Sequence, residues 1–223
     1  AARLGKRAGV LTVAGEEMDW PRLLPGVEIL RRPASVTTTF QNLYESGRRN
    51  QHLLAIAEPT DFASLPHAWK NCPIVHLAPV VHEVGAGFSG SFPDSLVALT
   101  PQGLLREWNR EGLVRQGRWS GDDRLLAGTR VAVFSEEDVV GDAGFLPRCI
   151  EKIPVVIITR GARGATLFVE GRPTEFPAFS VEEVDPTGAG DVFTAAFLVE
   201  YHGTGDPHHS TAFACCAAAF AVQ

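Results

Sequence analysis

Five short, nearly unbroken apolar runs are spaced along this chain. They are Gly9-Val10-Leu11-Thr12-Val13, Ile74-Val75-His76-Leu77, Leu96-Val97-Ala98-Leu99, Val131-Ala132-Val133-Phe134 and Val155-Val156-Ile157-Ile158-Thr159. A strand with one wet face alternates apolar and polar residues. These runs do not alternate, so both of their faces are covered, as in a parallel sheet sandwiched between helices. Helical stretches lie between and after them. Pro101 to Glu111 has Thr100 as N-cap and proline at the first position, and Glu136 to Asp142 is capped by Ser135. Gly188 to Tyr201 and Pro207 to Val222 are the longest. Strand and helix in alternation predict one α/β domain with a doubly wound, mostly parallel sheet spanning 1–223. A chain of 223 residues is long enough to bury the core of such a domain.

One region breaks the rhythm. Val27 to Arg32 and Ser35 to Phe40 are β-branched and half polar, Asn42 to Gln51 reads as a turn, and Gln51 to Ala57 becomes apolar again. This predicts a small antiparallel sheet inserted at about 27–57, with one face wet and the other available to cover a site. Composition narrows the function classes. A net charge of −6 does not suit a general nucleic-acid binder. No apolar run approaches the ~20 residues that span a bilayer. The four cysteines, Cys72, Cys149, Cys215 and Cys216, form no Cys-x-x-Cys pair. They read as free thiols in a reducing compartment such as the cytoplasm.

The chemistry concentrates late in the chain, at Asp185-Pro186-Thr187-Gly188-Ala189-Gly190-Asp191, which leads directly into the apolar helix pattern Val192 to Leu198. A Gly-rich loop opening a helix aims free N–H groups and the positive end of the helix dipole at one point, which suits phosphate. An aspartate at the end of that loop repels phosphate. It makes sense as the group that takes a proton from an attacking hydroxyl. Asp191 is therefore the candidate general base. The Gly188, Ala189 and Gly190 amides are the candidate charge stabilisers for phosphoryl transfer.

The loop resembles the C-terminal signature of the ribokinase-like, PfkB-type carbohydrate kinase family, and other segments agree. Ile158 to Ala165 is similar to the family's nucleotide-side strand and turn. The resemblance implies that Thr159, Gly161 and Gly164 border ATP, with Thr187 on the loop side. Ser135 to Asp138 stands where the family often has Asn-x-x-Glu, which implies Ser135 on the nucleotide side. It also implies that Asp138, with Asp185, reaches Mg²⁺ through water. Phe213 to Val222 resembles the helix beside adenine and places Cys215 there. The insertion resembles the family's lid, and Thr38, Phe40 and Arg49, with His76 after a sheet strand, are then the candidate substrate contacts. The resemblance implies an ATP-dependent kinase for a hydroxyl of a small sugar or cyclic polyol. A nucleoside kinase and a non-catalytic sugar- or nucleotide-binding module on the same fold are the alternatives. It further admits a homodimer through the lid, whose β-branched edge permits strand pairing. The family's opening strand, with a substrate-binding aspartate and a Gly-Gly, has no counterpart in these residues, and the match stops before the family's last elements. Both parts are expected to lie outside the 223 residues.

Overall fold

A computed structural model describes residues 1–45, 48–59, 65–88 and 90–223, with the backbone alone for 44, 45, 48, 49 and 86. Its strands are β1 (Ala8–Ala14), β2 (Val27–Pro33), β3 (Thr39–Glu45), β4 (Arg48–Ala55), β5 (Ile74–Leu77), β6 (Leu96–Leu99), β7 (Arg106–Trp108), β8 (Val114–Gln116), β9 (Val131–Ser135), β10 (Val155–Thr159), β11 (Ala165–Val169) and β12 (Arg172–Phe176). Its helices are α1 (Trp20–Leu23), α2 (Asp123–Ala127), α3 (Phe145–Lys152), α4 (Ala189–Thr204) and α5 (Pro207–Ala221).

Six strands form the central sheet in the order β12-β11-β10-β9-β6-β5. β5, β6, β9 and β10 are mutually parallel, and β11 and β12 add an antiparallel edge. The apolar runs divide as two-sided burial requires. Ala132, Phe134, Val156 and Ile158 face one core, with Leu125 and Leu126 of α2 and Phe145 and Cys149 of α3. Their chain neighbours Val131, Val133, Val155 and Ile157 face a second core, with Phe193, Ala196 and Phe197 of α4 and Ala214 and Cys215 of α5. Successive side chains on a strand point to opposite faces, so an unbroken apolar run feeds both cores.

Several expectations are corrected. The segment Val27 to Arg32 does not join the antiparallel insertion. As β2 it pairs in parallel with β1, from Ala8 opposite Val27 to Ala14 opposite Pro33. The lid is the β3–β4 hairpin alone. The pair β1–β2 does not join the central sheet, where β5 is the last strand. A side chain at Gly9 on β1 would run into the indole of Trp69, which precedes β5. The stretch 101–111 is not a helix. Pro101–Leu105 makes a 3₁₀ turn and the chain then enters the β7–β8 hairpin. Gly103 explains the short turn, because it packs directly against the backbone of Pro79 and Val80, where any Cβ would collide. Glu136–Val139 is likewise a single 3₁₀ turn, capped by Ser135 as expected. Among the described residues no helix is long and apolar enough to cross a membrane.

Candidate active site

The loop before α4 is built as a turn within a turn. The Asp185 carboxylate accepts the Thr187 N–H (2.9 Å), which bends the chain into the helix. Hydrogen bonding to the Thr187 side chain, and then to its N–H, holds the Asp185 carboxyl below its ordinary value. The backbone N–H groups of Val184 and Asp185 donate to the Val222 carbonyl (2.8 and 3.2 Å), so the loop is tied to the end of α5. Gly188 caps α4 at φ 82°, a left-handed conformation that favours glycine. Open space surrounds the Cβ positions of both Gly188 and Gly190. The backbone is therefore bare at the helix end where the dipole is positive.

The amides divide unevenly. The Ala189 N–H donates to the Pro186 carbonyl (3.1 Å) and is not turned outward, contrary to expectation. The first N–H to find a helical acceptor is that of Val192, bonded to the Gly188 carbonyl (2.9 Å). The Gly190 and Asp191 N–H groups lie before it, in the stretch that a helix leaves without internal acceptors. Asp191's own amide is thus left, like that of Gly190, without a helical acceptor. The Asp191 side chain is exposed at the mouth of this cradle. Nearby protein still strips enough water from its carboxyl to raise it above the usual carboxylate range. An aspartate shifted in that direction is a better proton acceptor at neutral pH than an unshifted one.

The strand ends β9 and β10 carry a second group. Thr159 and Ser135 are neighbours in register. Gly161 and Gly164 both adopt positive φ (54° and 89°). The Arg160 N–H donates to the Gly164 carbonyl (2.7 Å) and closes the turn between them. Gly161 faces open space, whereas Gly164 lies against the Phe176 carbonyl and the Ala178 N–H with no room for a Cβ. Sequence reasoning missed the charged link across this end. Glu136 pairs with both Arg163 and Arg160, and Arg160 also reaches Glu175 (2.9 Å). The arginines inside the Thr-x-Gly-x-x-Gly pattern were the signal that could have revealed it.

Other candidates fall elsewhere. Asp138 is buried, with one carboxylate oxygen accepting the Ser135 N–H (2.9 Å) and the other accepting the Gln102 amide (3.0 Å). It closes a capping box with Ser135. Ser135 Oγ is engaged in that box, accepting the Glu137 N–H (3.2 Å). Cys215 is packed in the core, where burial pushes its thiol up to about 11. Thr38 Oγ1 accepts the Ala57 N–H (3.0 Å) and so fastens the two ends of the lid hairpin to each other. Phe40 lies under the Arg106 guanidinium (5.1 Å). His76 sits on β5 at the open edge of the sheet, its Nε2 2.8 Å from Thr100 Oγ1, and crowding by protein lowers its pKa. The side chain of Arg49 lies outside the described residues. All four cysteines are free.

These elements define a class. A mostly parallel sheet, a two-stranded lid and a Gly-rich loop opening a late helix make up the ribokinase-like fold. Comparison with solved structures agrees. The chain superposes on a pyrophosphate-dependent kinase of the ribokinase family, in its sulfate complex, with a TM-score of 0.83 at 22% identity, covering 98% of this chain and 82% of that one. It superposes on Arabidopsis thaliana ribokinase complexed with ribose and ATP with a TM-score of 0.72 at 19% identity, covering 100% and 78%. The family model for pfkB family carbohydrate kinases matches residues 141–223. In fold, and in the sequence of its C-terminal part, the chain groups with the ribokinase-like, PfkB-type carbohydrate kinases. A probable fructokinase-5 of Arabidopsis thaliana is 27% identical over 164 residues, 70% of this chain and 48% of that protein. A cytidine kinase of Thermococcus kodakarensis is 27% identical over 218 residues, 90% of this chain and 76% of that protein. The chain spans about half the length of the plant fructokinases it matches.

Proposed function

We propose that this chain carries the phosphoryl-transfer site of a kinase that moves the terminal phosphoryl group of ATP to a hydroxyl of a small sugar or cyclic polyol. The observation that carries this reading is the start of α4. Bare Gly188 and Gly190 backbone, two outward amides and the raised carboxyl of Asp191 stand within four residues. Asp191 takes the proton of the acceptor hydroxyl as its oxygen bonds to phosphorus. The bond from phosphorus to the bridging oxygen breaks, and ADP leaves with that electron pair. The Gly190 and Asp191 amides hold the charge on the moving group. Thr159, Gly161 and Gly164 border the donor, and Thr187 stands on its loop side.

Mg²⁺, when bound, neutralises charge on the donor phosphates. Among the described residues no three His, Cys, Asp or Glu side chains gather into a metal site. That suits a magnesium ion held mainly by phosphate and water. Asp185, exposed on the loop, is the residue assigned here to such an ion's water shell. The free thiols suit a reducing cytoplasm, and pairing of two copies along the lid edge belongs to the same proposal. A nucleoside acceptor is the second reading, favoured by the match to a cytidine kinase over 90% of this chain.

The test uses full-length protein, ATP and pyrophosphate as donors, and a panel of sugars, polyols and nucleosides. Asp191→Asn is expected to lower turnover by about 10²-fold or more while ATP still binds. Full activity in that variant overturns the assignment. In the wild type, kcat/KM falls as pH drops through the Asp191 pKa, because the base works ionised. That pKa is raised, so the acid limb lies above the ordinary aspartate value of about 3.9. Tight ligand binding without turnover by the wild type favours a binding module instead.

A further inference from the structure

We infer that the β7–β8 hairpin is a strut that sets the position of the lid, and that Arg106 is the positioning residue coupling the lid to the loop 79–83. The inference rests on reading the lid as the cover of the acceptor.

The lid hairpin meets the strut around one cross-strand pair and its neighbour His52. Phe40 on β3 stands opposite Leu53 on β4, beside the irregularity in register at Thr39 and Phe40. Each member of the pair is engaged by the strut. The Leu53 N–H donates to the Gly112 carbonyl (2.8 Å), and His52 bridges Leu113 in antiparallel fashion. Gly112 has φ 79° and lies against the Leu53 carbonyl with no room for a Cβ. Asn109 holds the tip in shape, since its side chain accepts the Leu113 N–H (2.9 Å) and its carbonyl accepts the Gly112 N–H (3.0 Å). The other member, Phe40, is covered by the guanidinium of Arg106 at the base of the strut.

Arg106 is buried, and its reach continues to the chain following β5. Its Nη1 donates to the Val80 carbonyl (3.3 Å). Its own carbonyl accepts from His82 Nε2 (2.7 Å). The His82 ring also packs on Trp108 of the strut, with centroids 4.9 Å apart. His82 holds φ 59°, a left-handed conformation unusual for a residue with a side chain. The Glu83 carboxylate accepts the N–H groups of Val80 and Val81 (2.7 and 2.6 Å), which keeps this loop rigid. Such backbone strain persists where the surroundings over-determine it, and it concentrates at working sites. A planar guanidinium stacked on a ring at one end and bonded to a carbonyl at the other transmits position in a way an ammonium does not. The strut therefore fixes how far the Phe40–Leu53 pair stands from the loop 79–83.

The test compares Arg106→Lys, Arg106→Met and Gly112→Ala with the full-length wild type. One readout needs no activity: hydrogen exchange at the Leu53 amide, with the amides of α4 as a folding control. All three variants are expected to exchange faster at Leu53, by about ten-fold or more, with α4 unchanged. The second readout is kinetic. The acceptor KM rises by about ten-fold while the donor KM moves less than two-fold, and Arg106→Lys does not rescue. Unchanged Leu53 protection in Gly112→Ala with α4 still protected overturns the strut. Donor and acceptor KM moving together overturns the positioning role of Arg106. A wild type that phosphorylates no acceptor refutes the kinase reading, and the exchange experiment still decides the strut.

Discussion

Gly190 separates what the loop does for folding from what it does for chemistry. It is the second residue of α4, its φ is not in the left-handed region, and open space surrounds its Cβ position. Gly190→Ala therefore meets no clash and adopts the native backbone without strain. Removing a glycine from a helical position lowers the entropy of the unfolded chain and stabilises by about 0.4–1 kcal/mol. At a helix end the lower part of that range applies, about 0.5 kcal/mol, or a rise of about 1–2 °C in Tm for a chain of this size. The same methyl protrudes into the cradle. A phosphate oxygen must come to about 2.9 Å from the Gly190 and Asp191 nitrogens to accept their hydrogen bonds. Charge-assisted bonds of this kind contribute about 1.5–3 kcal/mol each. Losing one lowers kcat/KM for the donor by about ten- to a hundred-fold. Thermal unfolding and donor kinetics on the same preparation check both halves. A Gly190→Ala protein with unchanged donor kinetics refutes the anion cradle, and one with a clearly lower Tm refutes the open geometry around Gly190.

Gly164→Ala is expected to destabilise by about 3 kcal/mol or more in urea unfolding, because its backbone (φ 89°, ψ −137°) lies in a region nearly confined to glycine, which costs about 1–3 kcal/mol, and the new methyl strikes the Phe176 carbonyl. A loss below about 1 kcal/mol contradicts that close approach. Asp138→Ala is expected to cost about 1–3 kcal/mol through the opened capping box and the orphaned Gln102 amide, while the Mg²⁺ dependence of the rate stays the same. A magnesium midpoint displaced about ten-fold returns Asp138 to the metal.

Much of this was written in local pattern. The two-sided runs at 131–134 and 155–159 announced a covered parallel sheet, because burial on both faces leaves no polar position in a strand. The helix after Gly188 was equally plain, since a Gly-rich loop leads directly into the apolar helix pattern Val192 to Leu198. The split into lid and body was not plain. Val27 to Arg32 has the β-branched, half-polar look of a lid strand, yet it pairs in parallel with β1, and pairing partners far apart in sequence leave no local trace. The Pro101 segment carried good helix-start signals. The packing of Gly103 on Pro79 and Val80 diverted it into a turn and a hairpin. The sequence also did not reveal that Asp138 and Cys215 are buried, because burial is decided by packing across the whole fold.

The sequence by itself determined the chemistry available at the start of α4. A seven-residue loop contains its own glycines, turn-forming carboxylate and base, so its geometry is set by contacts within the loop and its helix. Only the tertiary structure decided where the loop is anchored, which carboxylates are buried, and how the lid is held. Those outcomes depend on Val222 anchoring the loop, Gln102 claiming Asp138, and Arg106 reaching Phe40 and Val80. Each is a contact between residues more than 20 positions apart, and such pairs meet only after the sheet has brought them together.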